Sequence, residues 1–182
     1  MALGAVLVLA ALIGGFVLFV GGDDDDDNSA ESIAERSGLT ERVTKRDAGL
    51  SVFYPEDWRR TEREGIINLQ SPDRCAAVAL SAPVPTELSA RLLRDSAAGI
   101  RRSFSGAVVG TGRQRTPIGG APTQIAVGVI RERGVPGTVV RLAVSRGREL
   151  AHLVQQVIRD PERCTEGAEQ ARAIIDSIQY TR

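Results

Sequence analysis

An uncharged apolar segment near the amino terminus, Ala2 to Val20, is the feature that most constrains this chain. As an α-helix it would extend about 28 Å, close to the roughly 30 Å hydrocarbon core of a bilayer. No Lys or Arg precedes this segment, which begins directly after Met1, and it ends in the bulky Leu18-Phe19-Val20. A cleaved signal peptide has a basic start and small residues before its cleavage site. We therefore predict an uncleaved transmembrane anchor over residues 1–21, with residues 2–20 in contact with the membrane.

The residues that follow the anchor are acidic and indicate a tether. Asp23 to Asp27 are five consecutive aspartates, and residues 1–35 hold seven acids and no Lys or Arg. Residues 22–38 offer little to bury, so we predict a solvated, flexible tether with one helical turn near Glu31 to Arg36. The aspartate run does not have the spacing of a calcium loop, which alternates oxygen ligands with turn glycines.

The rest of the chain is basic and has the composition of one globular domain. Residues 36–182 hold 16 acids and 23 bases, and 22 of these bases are arginines while Lys45 is the single lysine. This bias is typical of a GC-rich genome rather than of phosphate recognition, so we predict no nucleic-acid binding. Contact with anionic lipid or an acidic cell-wall polymer stays an alternative. An apolar fraction of 42% suits a single domain over residues 39–182.

Alternating and apolar stretches predict six or seven antiparallel strands. The first three have brief connections and indicate a meander, and the last also fits helical spacing although a tight turn before it favours a strand. The predicted strands are residues 49–55, 65–70, 75–82, 107–116, 123–131, 138–145 and 148–158.

Two segments have helical periodicity. Thr86 can cap a helix that runs to Phe104, with its apolar residues on one side. A second helix follows the break at Asp160-Pro161-Glu162. The apolar side of this closing helix comprises Cys164, Ala168, Ala171, Ile174, Ile175 and Ile178. The fold class is therefore α+β, with helices packed on an antiparallel sheet.

The segment Gly49 to Trp58 resembles the opening motif of PsbP-like domains. It reads Gly49-Leu50-Ser51-Val52-Phe53-Tyr54-Pro55-Glu56-Asp57-Trp58. The order of elements that follows is also similar, including a Gly-Gly-x-Pro step at residues 119–122 and a closing helix that ends in Ile174-Ile175-Asp176-Ser177-Ile178. The resemblance covers about residues 47–182.

This resemblance implies an α-β-α sandwich around an antiparallel sheet. The family includes extrinsic photosystem II subunits, a nuclear Ran-binding protein and exported bacterial lipoproteins, which mostly bind partner proteins rather than catalyse. It carries no partner-binding residue over to this chain. The chain differs from the lipoproteins in lacking a cysteine after its apolar segment, so the helix itself would be its anchor.

No catalytic constellation can be recognised. His152 is the only histidine, which excludes a site built from several histidines and leaves a triad one possible base. Ser145 and Asp160 are close to it in sequence but are arbitrary as triad partners, and no G-x-S-x-G elbow is present. The segment Gly110 to Arg115 begins like a dinucleotide-binding loop but lacks the third glycine and a following helix. We predict no catalytic, metal-binding or cofactor-binding residue, with a hydrolase or transferase of unrecognised site as an alternative.

Cys75 and Cys164 are the two cysteines. They could form a disulfide in an exported domain or remain two buried thiols in a cytosolic one, and we favour the disulfide. Loop charges do not decide the orientation of the anchor. The position of the apolar segment near the amino terminus and the two cysteines favour a domain outside the cytoplasm. We predict a single-pass membrane protein with an extracytoplasmic, non-catalytic binding or scaffolding domain for a protein partner of unknown identity.

Overall fold

The computed structural model describes residues 29–45, 49–104, 106–113, 118–119, 123–131, 137–146 and 150–180. The predicted anchor and the first part of the predicted tether, residues 1–28, lie outside these ranges. No helix within them is both long and apolar enough to cross a bilayer. The membrane anchor therefore stays a prediction.

The described residues form three α-helices, a short 3₁₀ helix and eleven strands. The helices are α1 (Ala30–Arg36), α2 (Ser89–Ser103) and α3 (Thr165–Asp176), and the 3₁₀ helix is Thr86–Leu88. The strands are β1 (Glu41–Lys45), β2 (Leu50–Tyr54), β3 (Arg59–Arg63), β4 (Ile66–Gln70), β5 (Ala76–Leu80), β6 (Val84–Pro85), β7 (Ala107–Arg113), β8 (Thr123–Ile130), β9 (Thr138–Arg146), β10 (Leu150–Arg159) and β11 (Gln179–Tyr180).

The strands form two antiparallel sheets. The smaller sheet has the order β1-β2-β11, and the larger sheet has the order β3-β4-β5-β10-β9-β8-β7, with β6 also paired to β10. Helix α2 packs on one side of the larger sheet against β7 to β10, whereas α3 packs on the other side against β5 and β10 and also contacts β2 and α1. Helices on both sides of an antiparallel sheet confirm the α+β class.

Strand β10 lies at the centre of the larger sheet and contributes to both layers. Leu153 and Val157 pack in the core beneath α2, whereas Val154 and Ile158 pack in the core beneath α3. Successive side chains of a strand point to opposite sides, so one apolar strand can fill two cores. The segment 148–158, for which a strand was favoured over a helix, is thus confirmed as a strand.

The prediction of one sheet with six or seven strands is wrong, because the described residues contain eleven strands in two sheets. The predicted meander is also split. Strand β2 pairs with β1 and β11, while β4 and β5 pair with each other. The four additional strands lack an apolar alternation that could reveal them. Strand β1 buries Val43 and Lys45, of which only Val43 is apolar, all five side chains of β3 are exposed, and β6 and β11 have two residues each.

The segment predicted as a solvated tether, residues 22–38, includes residues that belong to the folded domain. The helical turn predicted near Glu31 to Arg36 is present as helix α1. Both Ala30 and Ala34 of this helix are buried. Ser29 caps the helix, since its hydroxyl oxygen accepts a hydrogen bond from the Ser32 N–H at 3.1 Å. Alanines bury little surface each, so the segment reads as polar in sequence although it packs on the domain. The folded domain therefore includes α1 instead of beginning at Leu39.

A disulfide joins Cys75, just before β5, to Cys164, just before α3. The two Cα atoms are 5.7 Å apart, and the residues are separated by 89 positions in sequence. Gly167 in α3 lies against this bond, because an added Cβ would be 2.9 Å from the Cys75 Sγ and 3.0 Å from the Cys164 Sγ. The predicted disulfide is confirmed, and it fixes the start of α3 beside β5.

The buried side chains of Lys45 and Trp58 hold the β3–β4 hairpin in place through hydrogen bonds. Lys45 donates to the carbonyl of Gly65 and pairs with Glu62 at 3.2 Å. Hydrogen bonds from Arg60 and then Lys45 lower the pKa of Glu62. Trp58, which precedes β3, donates from its indole nitrogen to a side-chain oxygen of α3 at 2.9 Å. The single lysine of the chain is therefore an internal link between the two sheets.

Replacing both cysteines, Cys75→Ala with Cys164→Ala, should lower the free energy of unfolding by about 4 to 5 kcal/mol, because the disulfide closes a long loop in the unfolded chain. Urea unfolding of the full chain in detergent micelles, followed by the fluorescence of Trp58, measures this change. Reductant added to the unmodified protein should reproduce the loss. An unchanged unfolding midpoint in both experiments would contradict the expectation.

Gly167→Ala should destabilise the domain by about 1 to 3 kcal/mol, because its methyl group overlaps both sulfur atoms. The matched control is Gly99→Ala in α2, where an added Cβ meets no atom within 4 Å. This control should stabilise the domain by about 0.5 to 1 kcal/mol through helix propensity. The same unfolding measurement compares them, and equal shifts of the two variants would show that the sulfur contact does not constrain residue 167.

Candidate binding surface

Helix α3 covers only part of its side of the larger sheet. It packs mainly on β5 and β10, and the end of the sheet formed by β7, β8 and β9 extends beyond these strands. Ala126 and Ile130 of β8 pack beneath α2. The intervening side chains of β8 therefore point to the α3 side, and the strand register aligns residues of β7 and β9 with them. We name this surface the open face; its members are Val108, Ile125, Val127, Val129 and Val139.

The open face is apolar and partly accessible to solvent. Val108 of β7 is 60% exposed. The other four members are half-buried, although they lie in the interior of β8 and at the start of β9. Contiguous apolar side chains that stay accessible on a folded domain are typical of interaction surfaces.

A small cleft borders the open face. Arg141 of β9 lies opposite Val127 and Ala143 opposite Ile125 in the strand register, so the cleft continues the same surface. It is lined by Ile118, Arg141, Ala143, Val154, Arg172, Ile175 and Asp176. Its volume of about 20 Å³ holds roughly one water molecule. Binding sites for small organic ligands have volumes of about 300 to 1,000 Å³. This cleft is too small to be such a pocket and instead marks one edge of the open face.

Among the described residues that line the cleft, two guanidinium groups accompany one carboxylate. Arg172 and Asp176 pair on α3 at 3.7 Å. Partial burial raises the pKa of Asp176, although its side chain is 44% exposed, while the charges of Arg172 and Arg141 oppose this shift. Burial lowers the pKa of Arg141, and the charge of Arg172 lowers it further. The cleft therefore places charged side chains of both signs, two of them arginines, at the edge of the apolar open face.

The structure places Ser145 opposite His152 in the register of β9 and β10, but it does not bring Asp160 to them. His152 is buried, with its Nδ1 atom 3.4 Å from the carbonyl oxygen of Ser81 and its ring centroid 5.8 Å from that of Tyr180. Asp160 follows the end of β10, eight residues and about 26 Å away along an extended strand. It pairs instead with Arg163 at 3.7 Å. His152 is therefore positioned as a core side chain.

The other candidate motifs of the sequence have structural roles or lie outside the described residues. The glycines of the segment Gly110 to Arg115 fall within strand β7, which agrees with the strand predicted there. The aspartates at residues 23–27 lie outside the described ranges. Within those ranges, no group of three His, Cys, Asp or Glu side chains is arranged to hold a metal ion.

Sequence reasoning missed both the open face and the charged cleft. The residues of β8 form a nearly continuous apolar run, Ile125 to Ile130, which is typical of a strand buried on both sides. The missed charges, Arg141, Arg172 and Asp176, come from two elements far apart in sequence. The available signal was the charge of Arg141 between the apolar residues Val140 and Leu142 of β9.

Asp176→Asn should become more stable relative to the unmodified protein as the pH rises above 3.8, the ordinary pKa of this carboxyl. A raised pKa in the folded state means that the folded chain binds more protons than the unfolded chain in this window, so ionisation of Asp176 reduces stability. Urea unfolding at pH 3.5 to 7 measures the difference. The control is Asp95→Asn, which removes a more exposed carboxylate, 69% against 44%, at the same spacing from Arg91. A difference that is constant with pH would contradict the expectation.

No protein-family model matches the chain, and no curated protein matches it. Solved structures match its fold. The solution structure of cyanobacterial PsbP (CyanoP) from Synechocystis sp. PCC 6803 aligns with a TM-score of 0.52 at 9% identity, over 77% of this chain and 91% of that one. A crystal structure from Bacteroides thetaiotaomicron VPI-5482 aligns with a TM-score of 0.53 at 16% identity, over 79% of this chain.

This chain spans about half of that second protein, 49% of its length. A further crystal structure, of LpqN involved in cell envelope biogenesis of Mycobacterium tuberculosis, aligns over 88% of this chain and all of that one, at 14% identity and a TM-score of 0.45. The likeness to CyanoP confirms that the domain has the expected fold.

Proposed function

With a PsbP-like fold as the premise, we propose that this chain is a single-pass membrane protein whose non-catalytic domain binds a partner protein outside the cytoplasm. The open face carries this proposal. Its five apolar side chains include the most exposed valine of the described residues, Val108. A partner that covers them removes apolar surface from water, and the charged side chains of the neighbouring cleft give the contact a preferred orientation.

The proposed address is supported by two independent features. Disulfides persist in oxidising compartments and are rare in the cytosol, and Cys75 forms one with Cys164. The apolar segment at residues 2–20 has the length of a membrane-spanning helix. A domain that is tethered on the oxidising side of a membrane combines both features.

The alternative of a tethered hydrolase or transferase has less support. Such an enzyme needs a nucleophile and a base within hydrogen-bond reach inside an accessible pocket. His152, the only histidine of the chain, is buried. It lies beside Ser81, which precedes β6, and beside Tyr180 of β11. The cleft described above is about 20 Å³. We therefore favour the binding function.

The address can be tested in intact cells that produce the full chain. We expect the protein to stay in the membrane fraction after alkaline extraction and to lose its domain to protease added outside. We expect Cys75 and Cys164 to react with a thiol-specific dye only after reduction. Release by alkaline extraction, or free thiols without reductant, would overturn the proposed address.

The binding surface can be tested with a photoreactive amino acid at Val139 of the open face. We expect a discrete crosslinked product at this site and none from Leu88, which is 44% exposed and lies on the α2 side of the sheet. Val127→Glu should reduce the yield about tenfold, equal to roughly 1.4 kcal/mol of binding energy, because it places a charge in the apolar contact. Equal yields from Val139 and Leu88 would contradict a dedicated surface.

A further inference from the structure

The two edges of the larger sheet differ in charge. The edge strand β3 is exposed along its whole length, and four of its five residues are charged: Arg59, Arg60, Glu62 and Arg63. The opposite edge strand, β7, has no charged residue from Ala107 to Gly112. Proteins protect exposed sheet edges from pairing with other chains by placing charges on them. This protection is present at β3 and absent from most of β7.

The outer side of β7 carries backbone groups that no described strand pairs with. The Ala107 N–H donates to the Phe104 carbonyl at 3.1 Å, and the Val109 carbonyl accepts a hydrogen bond from the Arg101 guanidinium at 2.9 Å. In an antiparallel pair the groups of alternate residues point to the same side. The odd-numbered residues of β7 therefore face outward, and the N–H of Val109 and both groups of Thr111 are directed to this side.

The outer side of β7 is flanked by positive charge. Arg101 reaches β7 from α2, and Arg94, two turns earlier, lies on the same side of that helix. Both side chains are exposed. The single acid of α2, Asp95, pairs with Arg91 at 3.4 Å instead. An acidic ligand beside β7 would therefore meet complementary charge.

We infer that β7 accepts, as an added strand, an extended acidic segment of the partner protein. In strand addition, main-chain hydrogen bonds supply affinity and alternate side chains supply specificity. Side chains on one side of the added strand would cover Val108, and those on the other side would bring carboxylates to Arg94 and Arg101. Gly110 has open space around it, which permits a close backbone approach. This inference rests on the proposed binding function and specifies the chemistry of the partner.

Two other occupants fit the edge less well. A second copy of this chain, paired through β7 about a twofold axis, would bring Arg94 and Arg101 toward the same residues of the partner copy, and like charges repel. The acidic residues of this chain itself, Asp23 to Asp27, are consecutive. They place carboxylates on both sides of an extended strand and leave nothing apolar to cover Val108.

The experiment uses the full chain in nanodiscs of neutral phosphatidylcholine and a synthetic peptide, Thr-Val-Asp-Val-Asp-Val-Thr with blocked termini. Hydrogen exchange measured by mass spectrometry follows the amides of β7 and β3. We expect saturating peptide to slow exchange of the outward amides of β7 at least tenfold and to leave β3 unchanged. The same peptide with Lys in place of Asp should give no protection, and 0.5 M salt should weaken the effect of the acidic peptide.

Matched variants separate the two edges. Arg94→Glu should weaken peptide binding about tenfold, and Val108→Glu should abolish protection, because it places a negative charge against the acidic peptide within the apolar contact. The controls are Arg59→Glu and Thr61→Glu in β3, which place the same charges at exposed positions of the other edge. We expect both controls to bind the peptide as the unmodified protein does.

Several results would overturn the inference. Equal protection by the Lys peptide would exclude selection by charge, and no protection by either peptide would exclude strand addition. Stronger protection by a peptide of residues 21–30 would identify the tether of this chain as the occupant, and dimers in sedimentation without peptide would identify a second copy. Crosslinking from Val139 that persists while β7 stays unprotected would overturn strand addition alone and leave the binding function standing.

Discussion

The bond between Cys75 and Cys164 determines which half of the larger sheet is covered. Because α3 starts at this bond, its first turn is held beside β5, and the helix packs on β5, β10 and the smaller sheet. The close approach at Gly167 leaves no space for the helix to move across the sulfur atoms. The strands farthest from β5, namely β7 and β8, therefore keep one apolar side accessible, so the same covalent constraint that stabilises the fold also creates the open face.

The two layers of the domain depend on each other through β10. Leu153 and Val157 contact the core under α2, and Val154 and Ile158 contact the core under α3. Aromatic residues are only 4% of the chain, so these layers are filled mainly by aliphatic side chains. Such cores rely on close packing rather than on directional contacts, which concentrates the polar specificity of the structure in a few positions, such as Lys45 and Trp58.

Sequence patterns predicted the elements that bury alternate apolar side chains and missed those that do not. Strands β5 and β10 and helix α2 follow from apolar periodicity, as does the apolar side of α3. Strand β3 is held by pairing with β4 rather than by burial, so its sequence carries no pattern. The open face could not be predicted, because the apolar run of β8 is typical of burial on both sides. Its exposure depends on the position of α3, which a contact between residues 89 positions apart determines.

The burial of Lys45 determines which chemical reagents can label this domain. Its ammonium group is bonded to the carbonyl of Gly65 and to Glu62, and the residue is only 7% exposed. Since all other bases of the chain are arginines, the folded domain offers no accessible primary amine on its side chains. Reagents that acylate amines, including common cell-surface biotinylation agents and bis-succinimidyl esters, will leave this domain unlabelled even when it is fully accessible to them.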